Sequence, residues 1–172
     1  NIAPTFGGIN LEDIAAPNCF YIESELKKRL DIPVFHDDQH GTAVIVAAGL
    51  INALEIQKKR LSEVNIVFLG AGAAGCSCAR LLKLMGAKNI ALVDRKGVLN
   101  KNRKDLNKYN QDLAIETKCN TLENIMIDSD VFIGVSGANL LSPDLILKMN
   151  QNPIIFALAN PDPEILPDEA HS

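Results

Sequence analysis

Three glycines with the spacing GxGxxG are the clearest chemical signal in this sequence. They are Gly70, Gly72 and Gly75, and they stand between an apolar run that predicts a buried strand and a stretch that predicts a helix. In this context the first glycine permits a tight turn, the second lets a pyrophosphate approach the backbone, and the third lets the helix pack closely against the strand. The N-terminus of that helix offers free N–H groups and a partial positive charge to an anion. The pattern therefore predicts a dinucleotide site.

An acid at the end of the next predicted strand bears on the identity of the nucleotide. Asp94 lies about 20 residues after Gly75, where a carboxylate is placed for the hydroxyls of an adenosine ribose. A carboxylate repels a 2′-phosphate, which favours NAD. Arg95 and Lys96 follow directly, and their charges could neutralise such a phosphate. The sequence thus favours NAD and leaves NADP open.

Four carboxylates in two short segments form a second chemical signal. Glu12-Asp13 and Asp37-Asp38 supply hard oxygen ligands of the kind that suit Mg²⁺ or Mn²⁺. The second pair stands between a predicted apolar strand and an apolar helix that begins at Thr42. We therefore expect these carboxylates to be more than solvated loop charges, because buried carboxylates need a partner or a metal. Solvated loop charges are the alternative.

The histidines beside the second acidic pair suggest a different metal. His36 and His40 have the i, i+4 spacing of a helical zinc site. Such a site requires a helix through the acidic pair, directly after a strand predicted at residues 33–35. Zinc is therefore the less favoured interpretation.

Two asparagines follow later strands and are further candidate contacts. Asn139 comes after the strand predicted at residues 130–135, and Asn160 comes after the strand predicted at residues 154–158. Open α/β sheets bind ligands at the carboxyl ends of their strands, so both lie where a nicotinamide ribose could bind. Asparagine is also a frequent turn former, which is the alternative for each.

The composition limits the class of protein that carries these signals. The 172 residues include 17 Lys and Arg against 21 Asp and Glu, and 47% of the residues are hydrophobic. A net charge of −4 argues against non-specific binding to nucleic acid or to an anionic membrane. The longest apolar run, residues 43–51, is far shorter than a membrane span of roughly 20 residues. The four cysteines lack metal-site spacing and are expected to be reduced core thiols.

Alternating strands and helices must position the candidate residues. Strands are predicted at residues 33–35, 65–69, 89–94, 130–135 and 154–158. Helices are predicted at residues 18–30, 42–57 and 73–85, near Leu113, and from Thr121 and Ser142 onward. This alternation predicts the α/β class, with a doubly wound parallel sheet of the Rossmann-like type and right-handed crossovers.

Five segments, in one order along nearly the whole chain, resemble the malic enzymes, specifically the short prokaryotic type. The segments are residues 7–14 (GGINLEDI), 32–43 (IPVFHDDQHGTA), 70–75 (GAGAAG), 93–97 (VDRKG) and 156–161 (FALANP). The DDQHGT block is highly specific, whereas the glycine pattern alone is not. The resemblance implies oxidative decarboxylation of malate to pyruvate and CO₂, with NAD(P)⁺ and a divalent metal.

The resemblance also implies roles for individual residues. By position, Glu12, Asp13 and Asp38 resemble the ligands of Mg²⁺ or Mn²⁺, and Asp37 resembles an acid that assists proton transfer beside them. The candidate contacts to cofactor or substrate, from the glycine pattern and the resemblance together, are Thr42, Gly70, Gly72, Ala73, Ala74, Gly75, Asp94 and Asn160. We also expect a cytoplasmic protein, because no targeting leader is visible. A homodimer is a family expectation.

The sequence departs from the family pattern in its acid and base. The Tyr and Lys that serve these roles in the family have no counterpart here, and Tyr21 and Tyr109 lie in no matching motif. We therefore expect a fragment. Its residues 1–36 are predicted to be the C-terminal piece of an N-terminal catalytic domain. Residues 37–172 are predicted to be an NAD(P)-binding domain truncated at its C-terminus.

Two other functions are compatible with the nucleotide signal. One is a non-catalytic dinucleotide-binding or sensing module. The other is another two-domain NAD-dependent dehydrogenase, such as an amino-acid dehydrogenase. Both share the glycine turn, but neither needs four carboxylates before it. Metal dependence therefore separates them from a malic enzyme.

Because the acid and base of the family are absent, we expect the purified 172-residue chain to be inactive. The measurement is NAD(P)H formation from malate in the presence of Mn²⁺, against a control without malate. Malate-dependent NAD(P)H production by this chain would refute the expectation.

Overall fold

A small parallel sheet comes first in our computed structural model, which describes residues 2–171. Strand β1 (Ile9–Leu11) pairs with β2 (Val34–His36), and helix α1 (Asn18–Arg29) connects the two strands. The helix predicted from position 18 is thus confirmed. The register sets Leu11 opposite His36, so the two acidic pairs follow neighbouring strand ends.

A single π-helical turn, Asp37–Gly41, links β2 to the next helix and is not predicted by the sequence analysis. Helix α2 (Thr42–Ile56) continues from it directly and confirms the predicted apolar helix. Neither α2 nor another helix within residues 2–171 has the length and apolarity that crossing a bilayer requires.

The remaining strands of the described residues form a second, five-stranded sheet. They are β3 (Asn65–Leu69), β4 (Asn89–Asp94), β5 (Gly97–Val98), β6 (Val131–Gly134) and β7 (Ile154–Ala157), in the order β5-β4-β3-β6-β7. Strands β3, β4, β6 and β7 are parallel, and β5 turns back antiparallel to β4. The chain leaves β3 toward β4 on one side and later returns to add β6 and β7 on the other. The predicted doubly wound α/β fold is confirmed.

Side chains of the central strand alternate between two apolar cores, one on each face of the sheet. Ile66 and Phe68 pack in a core with α2 and with helix α3 (Ala73–Leu84). Val67 and Leu69 pack in the other core, beside α4 (Leu122–Ile125), α5 (Pro143–Ile146) and α6 (Pro167–Ala170). Because both faces of the sheet are covered, the sequence of β3 is a continuous apolar run and does not alternate between apolar and polar residues.

The helix predicted near Leu113 is wrong. The structure has only a 3₁₀ turn, Gln111–Leu113, in this part of the chain. Asparagine side chains explain the difference, since the Asn110 Oδ1 accepts the Asn107 N–H and the Asn107 Oδ1 accepts the Tyr109 N–H. Such side chain–backbone hydrogen bonds stabilise turns in competition with a helix.

All four cysteines are free in the described part of the chain. Cys19, Cys76 and Cys78 are buried, as predicted, whereas Cys119 is only half-buried. Burial raises the pKa of Cys76 to about 11 and the pKa of Cys78 to about 12. Both groups therefore remain protonated at neutral pH and offer no thiolate nucleophile.

A polar clamp holds the amino ends of β3 and β6 together. The Asp130 carboxylate accepts the Asn65 N–H at 2.9 Å and pairs with the Lys59 ammonium at 3.0 Å. Asn150 donates a further hydrogen bond to it at 3.2 Å. Burial opposes ionisation of this carboxyl group, but the three hydrogen bonds outweigh it and lower the pKa of Asp130.

We expect Asp130→Asn to lower the free energy of unfolding by about 1–3 kcal/mol at pH 7, because it leaves Lys59 partly buried without its charge partner. The pKa of Asp130 is depressed in the folded state, so its stabilisation is present above the unfolded pKa, near 4, and is lost as pH falls through the folded pKa. Urea unfolding of the variant and the wild type from pH 7 to pH 3 measures both effects. The two stabilities should converge at the acid end, whereas Asp31→Asn, at an exposed carboxylate, should change little at any pH.

Candidate functional site

The glycine turn joins β3 to α3, and each of its glycines meets a different steric demand. Gly70 has a φ of +124°, a conformation that side chains rarely adopt. A Cβ on Gly75 would lie 1.9 Å from the Gly70 carbonyl oxygen, so only glycine lets α3 approach the turn this closely. Apart from its chain neighbours, no residue of 2–171 lies within 4 Å of a Cβ built on Gly72. The space beside that position is therefore open.

Helix α3 presents its N-terminus at this opening. Gly72 precedes the first turn in extended backbone and carries no side chain to cap the helix. The first N–H groups of a helix, here including those of Ala73 and Ala74, have no carbonyl partner within the helix. Together with the positive end of the helix dipole they are suited to a phosphate group.

The acid at the end of β4 is paired with an arginine. Asp94 accepts two hydrogen bonds from the Arg103 guanidinium, at 2.9 and 2.7 Å, and one from the Lys96 N–H at 2.8 Å. Arg103 also bonds Asp105 at 2.9 Å. Hydrogen bonding to Asp105 and to Asp94 raises the pKa of Arg103 above its ordinary value. Arg103 could not be identified from the sequence, because it lies in a polar stretch that matches no motif.

The structure brings the two acidic pairs together at the carboxyl ends of β1 and β2. The Asp13 N–H donates to the Asp38 Oδ2 at 3.0 Å, across 25 residues of sequence. Asp13 has a positive φ of 57°, and Glu12 accepts a hydrogen bond from the Asn10 side chain at 2.7 Å. The Asp37 carboxylate lies against Gly41, where a Cβ would clash with it.

The expectation that the second acidic pair, Asp37 and Asp38, is buried is wrong. Glu12, Asp13 and Asp37 are exposed, and only Asp38 is half-buried. The π-helical turn is the physical reason, because it exposes Asp37, leaves Asp38 half-buried and buries Gln39 before α2 begins.

A divalent cation fits these residues by donor chemistry but not by their present arrangement. Carboxylate oxygens are the donors that Mg²⁺ and Mn²⁺ prefer. Within residues 2–171, however, no group of three or more His, Cys, Asp or Glu side chains is arranged to hold a metal ion. The backbone thus brings the candidate ligands into one neighbourhood without gathering their carboxylates around a common point.

The two histidines do not converge on a zinc site. His36 lies on β2, fully buried, and neither ring nitrogen has a hydrogen-bond partner among the described residues. The His40 Nε2 instead contacts the Glu23 carboxylate at 2.6 Å.

Glu23 anchors the π-helical turn to α1 and was not identified from the sequence. Its buried carboxylate bonds Gln39 at 3.2 Å, His40 at 2.6 Å and Lys27 at 2.7 Å. Burial works against ionisation of Glu23, but hydrogen bonding to Lys27 and His40 outweighs it and lowers the pKa. Only the i, i+4 spacing of Glu23 and Lys27 was visible in the sequence, and that spacing is common on helices.

One cavity joins the acidic segment, the glycine-turn helix and the ends of β6 and β7. It measures about 200 Å³. Its lining residues are Asp38, Thr42, Ala74, Val135, Ser136, Leu158, Ala159 and Asn160. Four predicted site residues from three separate motifs therefore meet at one edge of the large sheet. Asn139 lies outside this cavity, in a left-handed turn conformation with φ 57°, which agrees with a turn former.

A larger apolar groove lies between β7 and α6 and contains none of the predicted site residues. It measures about 640 Å³ and includes Ile155, Phe156 and Ile165. It offers no acid that could act as a metal ligand.

Comparison with known proteins bears on the family of the chain. Residues 39–171 match the family described as "Malic enzyme, NAD binding domain". The NADP-dependent malic enzyme of Halomonas elongata is 52% identical over 171 residues, which are 98% of this chain and 40% of that protein. The NAD-dependent malic enzyme of Geobacillus stearothermophilus is 51% identical over 173 residues, which are 98% of this chain and 36% of that protein.

A solved structure shows the same relationship. The NAD-dependent malic enzyme of Thermotoga maritima superposes with a TM-score of 0.93 at 49% identity, over 99% of this chain and 47% of that chain. The present chain spans about two-fifths of the length of the curated relatives named here. One of these is NADP-dependent and the other NAD-dependent, at nearly equal identity.

The open space at Gly72 and the close contact at Gly75 lead to opposite expectations for two alanine variants. Gly72→Ala should change the free energy of unfolding by less than about 1 kcal/mol, yet weaken NAD(P)⁺ binding at least about tenfold by filling the approach to the helix. Gly75→Ala should lower the free energy of unfolding by about 1–3 kcal/mol through overpacking. Urea unfolding and titration calorimetry measure the two quantities, and unchanged cofactor binding by Gly72→Ala would contradict the assignment.

Proposed function

Because the chain belongs to the malic enzyme family, we propose that it serves the oxidative decarboxylation of malate to pyruvate and CO₂ with reduction of NAD(P)⁺. The observation that carries this proposal is the cavity shared by the acidic segment, the glycine-turn helix and the ends of β6 and β7. A hydride transfer coupled to loss of CO₂ needs a nicotinamide and a substrate side by side, and this is where the three motifs meet.

The nucleotide would run along the carboxyl edge of the large sheet. The N-terminus of α3 would hold its pyrophosphate, with Gly72 giving access to the backbone. Asp94, with Arg103 bound to it, would face the adenosine ribose. Thr42 and Asn160 would contact the nicotinamide half in the cavity. A nucleotide held in this way would supply the acceptor for a hydride from the hydroxyl-bearing carbon of malate.

The carboxylates at the ends of β1 and β2 would hold the metal. The proposed ligands are Glu12, Asp13 and Asp38. The hydrogen bond from the Asp13 N–H to the Asp38 carboxylate supports this proposal, because it holds the two acidic segments side by side. A metal held there would supply Lewis-acid polarisation of substrate oxygens. Asp37, on the exposed side of the same turn, would assist proton transfer.

The two sheets suggest where the chain divides into domains. We propose that residues 1–36 belong to a neighbouring catalytic domain and that residues 37–172 form the NAD(P)-binding domain. The separation of the β1–β2 pair from the five-stranded sheet supports this division.

The full-length protein should reduce NAD⁺ or NADP⁺ in the presence of malate and Mn²⁺, and a chelator should abolish the activity. We expect Asp38→Asn to weaken Mn²⁺ binding at least about 100-fold, or about 2.8 kcal/mol, since it removes a ligand charge while keeping an oxygen for the Asp13 N–H. Steady-state NAD(P)H formation and Mn²⁺ titration followed by electron paramagnetic resonance measure the two effects.

Asp31→Asn is the matched control, because it removes an exposed carboxylate outside the acidic pairs. Equal Mn²⁺ affinities for the two variants would overturn the ligand assignment. Activity that persists in chelator would point to a dehydrogenase without the metal, and cofactor binding with no turnover would point to a non-catalytic module.

A further inference from the structure

We propose that Glu164 is a positioning residue that holds the two loops of the nicotinamide pocket in register. One carboxylate bonds the backbone of both loops, which follow β6 and β7. The inference rests on the proposed function only in placing the nicotinamide in this cavity.

The side chain of Glu164 bridges the loops directly. It is fully buried, with 0% of its surface exposed. One carboxylate oxygen accepts the Ser136 N–H at 2.9 Å, and the other accepts the Ala159 N–H at 3.1 Å. Both partner residues line the cavity, and Asn160 follows the second of them. A shift of either loop therefore breaks a hydrogen bond of a buried carboxylate.

The backbone around Glu164 fixes the direction from which its side chain enters. The Glu164 carbonyl accepts the Leu141 N–H at 3.0 Å, and the Pro163 carbonyl accepts the Asn139 N–H at 3.1 Å. The next residue, Ile165, is buried in the second core. The segment thus runs beside the loop after β6 and is anchored by apolar packing.

The end of β6 leaves room for this carboxylate. A Cβ on Gly134 would lie 2.3 Å from the Glu164 carboxyl carbon and 2.5 and 2.6 Å from its oxygens. Position 134 therefore requires glycine for a steric reason, although it lies outside the GxGxxG pattern. The Glu164 carboxylate occupies the space that a side chain at position 134 would need.

The chemistry of the contact argues against a purely space-filling role. Within residues 2–171 no cationic side chain forms a salt bridge with Glu164, so the two backbone N–H groups are what compensates its burial. Buried carboxylates need such donors, and hydrogen bonds to a charged acceptor are about twice as strong as neutral ones. An apolar side chain of similar volume could fill the space but could not fix two loops relative to each other.

The amides that precede Ser136 and Ala159 provide an internal control for testing this role. The Val135 N–H donates to the Leu69 carbonyl and the Leu158 N–H donates to the Gly134 carbonyl, each at 2.9 Å. These amides belong to the sheet, and each directly precedes an amide that depends on Glu164. Amide hydrogen exchange can therefore separate loss of the loop bridge from loss of the sheet.

In the wild-type chain we expect slow exchange at the Ser136 and Ala159 amides. In Glu164→Gln the side-chain N–H₂ faces one of the two donors, so that amide should exchange at least about tenfold faster, while the other amide keeps the side-chain oxygen as its acceptor. The amides of Val135 and Leu158 should keep their rates. Fast exchange at Ser136 and Ala159 in the wild type, or equal acceleration at all four amides, would overturn the proposal.

Cofactor binding tests whether the bridge serves the nicotinamide. Titration calorimetry with NAD⁺ and with ADP-ribose, which lacks the nicotinamide, should show a loss of at least about tenfold for NAD⁺ in Glu164→Gln and a change of less than about twofold for ADP-ribose. Glu116→Gln, at an exposed position, should change neither affinity. NADP⁺ and 2′-phospho-ADP-ribose replace the pair if the chain prefers NADP⁺.

The outcomes separate the two proposals. Equal loss of NAD⁺ and ADP-ribose affinity would reduce Glu164 to a structural residue and overturn its positioning role, as would unchanged NAD⁺ affinity. Equal affinity of the wild type for NAD⁺ and ADP-ribose would contradict the placement of the nicotinamide in this cavity. The exchange rates would still decide whether Glu164 bridges the loops.

Discussion

Parallel pairing of β3 with β4 and β6 is the constraint on which the candidate site depends. Parallel strands deliver all of their carboxyl ends to one edge, so the glycine turn, Asp94 and the loop after β6 necessarily face the same space. The small β1–β2 sheet obeys the same rule and gathers the two acidic pairs at its own carboxyl edge. The π-helical turn then joins the two edges, because it carries Asp38 from the end of β2 toward the cavity and continues into α2.

Besides the strand pairing, side-chain contacts of α1 hold the π-helical turn and the segment around Tyr109 in place. Glu23 binds the π-helical turn to α1 with buried hydrogen bonds, where the low dielectric makes a satisfied network strong and an unsatisfied one unfavourable. Phe20 of the same helix stacks on Tyr109, in the segment between β5 and β6, with ring centroids 4.3 Å apart. Such aromatic pairs contribute about 0.5–1.5 kcal/mol beyond the area they bury. Helix α1 is therefore attached by one polar contact and one aromatic contact.

Sequence patterns predicted the strands and the glycine turn because their physics is local. The apolar run at residues 65–69 and the spacing of Gly70, Gly72 and Gly75 constrain the backbone whatever surrounds them. The partners of charged side chains depend on tertiary contacts, so they could not be found in this way. Arg103 and Glu164 carry no motif, and each becomes meaningful only when the fold sets it against Asp94 or against two loops.

The exposure of the acidic pairs also depends on the folded structure and could not be predicted from the sequence. The resemblance grouped Glu12, Asp13 and Asp38 as ligands of one metal, and the structure sets the Asp13 N–H against the Asp38 carboxylate. The apolar flanks of Asp37 and Asp38, however, were taken to mean burial. A π-helical turn has no strong sequence signature, and it altered the exposure of Asp37 and Asp38 without changing the order of the elements.

The ion-pair chain at the end of β4 has an evolutionary consequence. Asp94 and Asp105 are paired with Arg103 and Lys96, so the charges of these four side chains balance. Gain or loss of a single charged side chain is enough to tip such a balance, and these side chains are not packed in either core. Cofactor preference is therefore expected to drift readily among descendants of this sequence, while the contact between Gly70 and Gly75, which leaves no room for a methyl group, is expected to persist.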